Sequence, residues 1–162
     1  MSKKNEQNLK KANYLVCVNA EEYSEVALHF TCHLAKKNNG SILLLHVIEP
    51  ADFQTIGMIA EKMRKEKHAE SQELLNELAG KAKEWSGIMP IVMVREGLIE
   101  DEIIAVVEED PTIKMLVTGV SSESSKKSKI IPPIVSAIGS KLKIPMLIVP
   151  GTLTNEEMEL VA

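Results

Sequence analysis

The chain has 162 residues, a formal charge of −4 from 19 basic and 23 acidic side chains, and only 3% aromatic residues. This length suits one domain that buries a substantial core. An acidic balance with few aromatic rings argues against the cationic surfaces and stacking platforms that bind nucleic acid. Apolar runs such as residues 42–45 are far shorter than the roughly 20 residues that cross a bilayer, so no membrane partner is expected.

The N-terminal stretch MSKKNEQNLKKAN carries lysines with no apolar segment after them, which is not the pattern of a secretory signal. The two cysteines, Cys17 and Cys32, lie in predicted elements and lack CxxC spacing. This arrangement favours reduced structural thiols over a disulfide or a zinc framework. We therefore expect a soluble, cytoplasmic protein.

Apolar, strand-like runs alternate with helical patterns along the chain. Residues 13–18 (NYLVCV) and 41–48 (SILLLHVI) are short and apolar, which is typical of buried strands. Between them, apolar residues at helical spacing from Val26 to Ala35 predict a helix that ends at residues 38–40 (NNG).

The middle of the chain continues this alternation. The polar-rich stretch 53–86 carries apolar residues at largely helical spacing and predicts a long helix. Residues 90–94 (PIVMV) predict a third strand, and residues 95–97 (REG) turn out of it. Residues 99–109 predict a helix, in which the three acidic residues 100–102 favour the positive N-terminus better than they suit a catalytic pair.

The last part of the chain predicts a strand at residues 114–119, a helix at 134–142 and a strand at 145–149 (PMLIV). Strands that alternate with helices pair in parallel through right-handed crossovers. We therefore predict a doubly wound α/β domain, with helices on both faces of its sheet. Ligands of such sheets lie beyond the carboxyl ends of the strands. Residues 1–12 and 151–162 are predicted to be a loosely attached extension and tail.

These residues, in this order, resemble one family. The stretch from residue 13 to residue 50 (NYLVCVNAEEYSEVALHFTCHLAKKNNGSILLLHVIEP) is followed by REG, by LVTG at residues 116–119 and by PMLIVPG at residues 145–151. The series is similar to the universal stress proteins over nearly the whole length. The resemblance implies one domain over residues 13–150 and a five-stranded parallel sheet of order 3-2-1-4-5. The switch point of that sheet lies between the first and fourth strands.

Many members of that family bind ATP through a signature of Gly, two residues, Gly, nine residues, Gly, and then Ser or Thr. Carried onto this chain, its first glycine is Gly119, and the next three positions are Ser122, Pro132 and Pro133. Backbone N–H groups hold an anion at a helix N-terminus, and proline has none to offer. Proline is instead well suited to begin a helix. The resemblance therefore implies a substituted signature that lacks the backbone N–H groups with which family members bind phosphate.

The resemblance also implies which residues would meet a nucleoside. Asn19 takes the place of an aspartate at the end of the first strand, and Val47 takes the position that packs near adenine. Asparagine still hydrogen-bonds but carries no charge. Together with Gly119 and Ser122, these residues form a candidate residual nucleotide pocket.

The segment 121–129 is rich in serine and lysine and allows three interpretations. Runs of this kind between ordered elements are usually solvated loops. The three lysines could instead build a replacement anion site. The serines could also make it a regulatory segment that is phosphorylated.

Three histidines are further candidates for chemistry. His29 and His33 lie one turn apart and could face one metal, but no third ligand is indicated, so a surface or boundary role is favoured and no metal site is expected. His46 lies near the end of a predicted strand and is interpreted as a hydrogen-bonded core histidine rather than a general base.

Catalysis has no motif in its favour, because GxSxG, HExxH and GxxxxGK[ST] are all absent. The last strand is an apolar edge, and the resemblance implies a homodimer that forms through Pro145 to Val149. Our main hypothesis is a non-catalytic stress-response dimer that lacks conventional ATP binding, needs no cofactor and acts on unknown protein partners. The alternatives are an ATP- or AMP-binding sensor with an altered phosphate loop and a nucleotide hydrolase.

Overall fold

The computed structural model describes residues 11–49, 57–121 and 141–162. Its strands are β1 (Asn13–Cys17), β2 (Ser41–Ile48), β3 (Ile91–Glu96), β4 (Ile113–Val120) and β5 (Met146–Pro150). The helices of these ranges are α1 (Glu22–Lys37), α2 (Met58–Ser86), α3 (Ile99–Glu109) and α4 (Asn155–Val161). In the ranges given, no helix combines the length and the apolar character that crossing a bilayer requires.

The five strands form one sheet in the order β3-β2-β1-β4-β5. All four pairs of neighbouring strands are parallel. The predicted fold class is confirmed, and so is the strand order implied by the family resemblance. The switch point therefore lies between β1 and β4, where a doubly wound sheet opens toward ligands.

Helices cover both faces of this sheet because successive residues of each buried strand point to opposite sides. On one face, α1 and α2 pack over a cluster that includes Val16, Leu44 and Val117. On the other face, α3 packs over Leu15 and its neighbours. The near-continuous apolar sequence of the central strands follows from this two-sided burial.

The end of α1 is set by the residues that follow it. The Asn38 N–H donates to the Leu34 carbonyl over 3.0 Å, and the Gly40 N–H donates to the Ala35 carbonyl over 2.7 Å. Between them, Asn39 adopts a φ of 50°, which closes the helix in the left-handed conformation. The stop predicted at residues 38–40 is confirmed.

The third strand runs two residues further than the predicted end at residue 94. Arg95 pairs with Val47 of β2, and Glu96 pairs with Ile48. Their charged side chains do not end the strand, because each has an oppositely charged partner on a flanking helix. Arg95 pairs with Glu109 of α3, and Glu96 accepts from the Arg64 guanidinium of α2 over 3.0 Å.

Two predicted elements fall partly outside the described residues. The long helix predicted from residue 53 begins at Met58 in the described part of the chain. The helix predicted at residues 134–142 lies outside it except for Lys141 and Leu142, which are not helical.

The C-terminal tail differs from the expectation of loose attachment. Thr154 caps α4, and its hydroxyl oxygen accepts from the Glu157 N–H over 3.3 Å. The side chain of Met158 is 2% exposed and belongs to the same hydrophobic cluster as α1. Burial of one apolar side chain fixes this short helix, although its sequence looks predominantly acidic.

Substitution of Met158 tests this attachment. Met158→Ala should lower the free energy of unfolding by about 2 kcal/mol, because it removes a buried side chain from the core cluster. Leu160→Ala is the matched control, since Leu160 of the same helix is 85% exposed and its truncation should change stability by less than about 0.5 kcal/mol. Urea denaturation followed by far-UV circular dichroism gives both values, and equal effects would contradict the docking of α4.

Candidate functional site

The candidate site lies where the central strands end. Asn19 follows β1, Val47 and His46 lie in the last part of β2, and Gly119 lies near the end of β4. The parallel pairs of β1 with β2 and with β4 bring these positions to one edge of the sheet. The structure therefore places the described candidate residues at the switch-point edge.

Asn19 holds the turn between β1 and α1 through its side chain and its backbone. Its Oδ1 accepts from the Glu21 N–H over 3.0 Å and from the Ser24 hydroxyl over 2.9 Å. Its Nδ2 donates to the Tyr23 hydroxyl over 2.9 Å. Its backbone N–H donates to the Ser24 hydroxyl oxygen over 3.0 Å.

These bonds use most of the capacity of the Asn19 side chain. An amide oxygen has two lone pairs, and both are engaged with residues of this chain. An amide nitrogen has two N–H groups, and one of them is committed to Tyr23. Counting partners among residues 11–49, 57–121 and 141–162, the Asn19 side chain retains a single N–H donor, so a ribose hydroxyl could meet it only as an acceptor.

Gly119 is a glycine because the first turn of α1 approaches it closely. A Cβ at this position would lie 2.7 Å from the carbonyl carbon of Tyr23 and closer still to its carbonyl oxygen. Those atoms are backbone and do not rotate away. The packing of α1 on β4 is sufficient reason for a glycine here, with or without a ligand.

Val47 is part of the hydrophobic core. Its side chain is 7% exposed and lies in the cluster that α3 covers, together with Cys17 and Leu45. Its neighbour His46 faces the other way, is half-buried, and donates from Nδ1 to the Val18 carbonyl over 2.7 Å. This bond agrees with the interpretation of His46 as a hydrogen-bonded histidine, and it secures the backbone just before Asn19.

The remaining signature positions, Ser122, Pro132 and Pro133, lie outside the described residues, as does most of the segment 121–129. Their assignment stays a prediction from the sequence. No group of three or more His, Cys, Asp or Glu side chains in the described part of the chain could hold a metal ion. His29 and His33 stack on each other with ring centroids 5.3 Å apart.

Both cysteines are free and buried. Burial raises the pKa of Cys17 to about 12. Burial also raises the pKa of Cys32 to about 11, against a hydrogen bond with Ser86 that lowers it. Thiols that stay protonated are poor nucleophiles and poor metal ligands, which agrees with a structural role for both.

No motif in the sequence singles out Tyr23 and Ser24, although both bond to Asn19. Tyr23 is 8% exposed and Ser24 is 1% exposed. Their spacing of four and five residues from Asn19 is the available signal, because the first turn of a helix can fold back onto the residue that precedes it.

The model of the universal stress protein family matches residues 13–150. The chain belongs to the universal stress protein family. No curated protein sequence matches it significantly.

Solved structures of universal stress proteins share its fold at low sequence identity. UspA from Lactobacillus plantarum is 13% identical and aligns with a TM-score of 0.70 over 86% of this chain and 98% of its own. The Archaeoglobus fulgidus protein in complex with dAMP is 15% identical, with a TM-score of 0.64 over 86% of this chain and 98% of its own. An Arabidopsis thaliana protein with AMP bound is 19% identical, with a TM-score of 0.61 over 86% of this chain and 91% of its own.

The close approach at Gly119 gives a direct test of the packing at this edge. Gly119→Ala should lower the free energy of unfolding by about 2 to 3 kcal/mol, because the added methyl group meets the Tyr23 backbone. Gly80→Ala is the matched control. No atom of the described residues lies within 4 Å of a Cβ at Gly80, so a helix-interior alanine should stabilise the protein by about 0.5 to 1 kcal/mol. Calorimetry of thermal unfolding measures both changes in stability. Equal changes for the two substitutions would contradict the close packing at Gly119.

Proposed function

We propose that this universal stress protein is a non-catalytic, dimeric regulator that lacks conventional ATP binding and acts through protein partners. The observation that carries this proposal is the bonding of Asn19. Both lone pairs of its Oδ1 and one of its Nδ2 hydrogens are engaged within the turn that begins α1. The side chain at the position that contacts the nucleoside in other family members is thus already hydrogen-bonded within the turn and stabilises it.

Asparagine in place of the family's aspartate lowers the number of hydrogen-bond acceptors at position 19, and the turn that begins α1 already uses those that remain. A carboxylate has about four acceptor sites and a full charge, so it can accept from the turn and from a ribose together. Asn19 has two acceptor sites, and Glu21 and Ser24 fill them. A ribose hydroxyl that donates would have to displace one of these bonds, at a net cost of about 1 kcal/mol.

The signature positions support the same proposal from the sequence. Pro132 and Pro133 stand where family members carry a glycine and a hydroxyl residue. Neither proline has an N–H with which to hold a phosphate oxygen. A site that has no open acceptor at its nucleoside end and lacks backbone donors at its phosphate end loses affinity through two independent causes.

The alternative is a nucleotide-dependent sensor that binds AMP or ATP through an altered phosphate loop. Two structurally similar proteins favour it, because the Archaeoglobus protein is a complex with dAMP and the Arabidopsis protein has AMP bound. Both ligands carry a single phosphate. In this chain, the lysines and serines of residues 121–129 would supply the donors in place of the signature backbone.

Calorimetric titration separates the two functions. Purified, nucleotide-free protein should give no heat of binding with Mg-ATP, AMP or adenosine. The double variant Pro132→Gly, Pro133→Ser should gain ATP binding if the prolines close an otherwise intact site. Binding of AMP or ATP by the parent protein would contradict the main proposal and favour the sensor.

Dimerisation is proposed through the edge strand β5. Its residues pair with β4 on one side, from Met146 opposite Leu116 to Pro150 opposite Val120. On the described surface, Ile148 is 44% exposed although it lies in the middle of this apolar strand. An apolar edge with free backbone donors and acceptors is a template for a second strand. A second copy of the chain, paired along β5, would bury the Ile148 side chain and bind the backbone donors and acceptors of this edge.

Light scattering after size-exclusion chromatography tests the dimer. The parent protein should elute as a dimer, and Ile148→Lys should weaken it at least about tenfold, because a buried unpaired charge is costly at an interface. Leu160→Lys is the matched control, since Leu160 is an exposed apolar residue of α4 rather than of β5. A monomeric parent would end the proposal, as would an equal effect of the two substitutions.

A further inference from the structure

A cavity of about 290 Å³ lies between α1, the end of α2 and the chain that follows β5. Its walls include side chains from the first two turns of α1, the last turn of α2 and the C-terminal tail. The candidate nucleotide residues Asn19, Val47 and Gly119 are not among those that line it. The cavity is therefore separate from the candidate nucleotide pocket.

The C-terminal tail forms one wall of this cavity and is attached to the sheet by its backbone. The Gly151 N–H donates to the Val120 carbonyl over 2.9 Å, and the Leu153 N–H donates to the Pro150 carbonyl over 3.1 Å. Further along, the buried Met158 both lines the cavity and belongs to the core cluster. This wall is therefore part of the fold, as in most small-molecule sites, which are largely formed before a ligand binds.

Much of the cavity wall is apolar or aromatic. Val26 of α1, Trp85 of α2 and Leu153 of the tail all line it, and each is half-buried and packs against the core cluster. The His29 ring stacks on the Trp85 indole with centroids 4.0 Å apart at an interplanar angle of 14°, which holds the indole in place. A ligand with an apolar body would gain free energy by leaving water for this surface.

Two carboxylates, Glu22 and Glu25, line the cavity from the first turn of α1. Lys81 of α2 binds the Glu25 carboxylate at 2.9 Å and also lies 3.7 Å from the Glu77 carboxylate. Within the described ranges, no basic side chain forms an ion pair with Glu22. One lysine thus stands against three carboxylates, and the charge at this side of the cavity is negative.

The sign of this charge limits the class of ligand. His29 also lines the cavity, but burial, followed by the positive charge of His33, lowers its pKa, so the ring does not offset the carboxylates at neutral pH. Carboxylates repel a phosphate or another carboxylate and attract an ammonium group. The indole of Trp85 favours a cation as well, because the face of an aromatic ring is electronegative. A nucleotide therefore has the wrong charge for this cavity.

We propose that this cavity binds a small organic cation, whose ammonium group pairs with Glu22 and Glu25 and whose apolar body lies against Trp85 and Leu153. The volume is close to the lower end, about 300 Å³, of small-molecule pockets, which favours a monoamine with one ring or one branched chain. The site adds a ligand other than a nucleotide to the proposed function. It shares with the nucleotide edge only the first turn of α1.

Titration of the full-length protein with three probes of one shape tests the site. The probes are 2-phenylethylamine, the uncharged 2-phenylethanol and the anion 3-phenylpropionate. Trp85 is the only tryptophan of the chain, so its fluorescence reports on the cavity wall, and calorimetry gives the affinity. We expect the amine to bind with a dissociation constant of about 1 mM, the alcohol at least about tenfold more weakly, and the anion not at all. No binding of the amine at about 10 mM, or equal binding of the alcohol, would overturn the proposal.

Three variants assign the binding to the cavity. Glu22→Gln removes one carboxylate and should weaken binding of the amine roughly threefold to fivefold, the effect of a partly exposed ion pair. Glu21→Gln is the matched control, since it makes the same change of charge at an exposed neighbour that does not line the cavity, and the affinity should stay as in the parent. Leu153→Ala reduces the apolar wall and should weaken the amine about threefold. Equal effects of the two glutamate substitutions, or unchanged binding by Leu153→Ala, would show that the amine binds elsewhere.

Discussion

The packing of the first turn of α1 against β4 determines how the rest of this edge of the sheet, at the carboxyl ends of the central strands, is built. The Tyr23 carbonyl fills the space that a side chain at position 119 would need. Because this close contact fixes the position of α1 on β4, the side chains of Tyr23 and Ser24 form hydrogen bonds with the side chain of Asn19. Polar atoms that would otherwise face a ligand thereby hold the start of a helix. Any gain of nucleotide affinity at this edge has to be weighed against the order of that turn.

Most of the fold could be predicted from the sequence, because a parallel sheet covered on both faces produces apolar runs of strand length. The short apolar runs at β1 and β2 predicted buried strands. The order of the strands in the sheet came from the family resemblance. The prediction failed where a local pattern misleads. Arg95 and Glu96 look like the end of a strand, yet partners on opposite faces keep them within β3. The acidic tail looks unattached, yet one methionine anchors it.

The candidate site could be predicted only as a set of positions. Chain order and parallel pairing are enough to bring Asn19, Val47 and Gly119 to one edge of the sheet. What those residues do there depends on side-chain conformations that no spacing encodes. The direction of the Tyr23 hydroxyl decides how much of Asn19 remains for a ligand. The alternation of residues along β2 decides that Val47 faces the core and His46 the other side.

The burial of both cysteines has a consequence for the chemistry of stress itself. Peroxide and related oxidants attack the thiolate, and burial raises the pKa of Cys17 to about 12, so this thiol stays protonated at neutral pH. Cys32 is shielded in the same way beneath α1. Oxidation of either sulfur first requires the core to open. Both thiols of the folded protein are therefore protected under conditions that convert the exposed thiols of other proteins to sulfenic acids and disulfides.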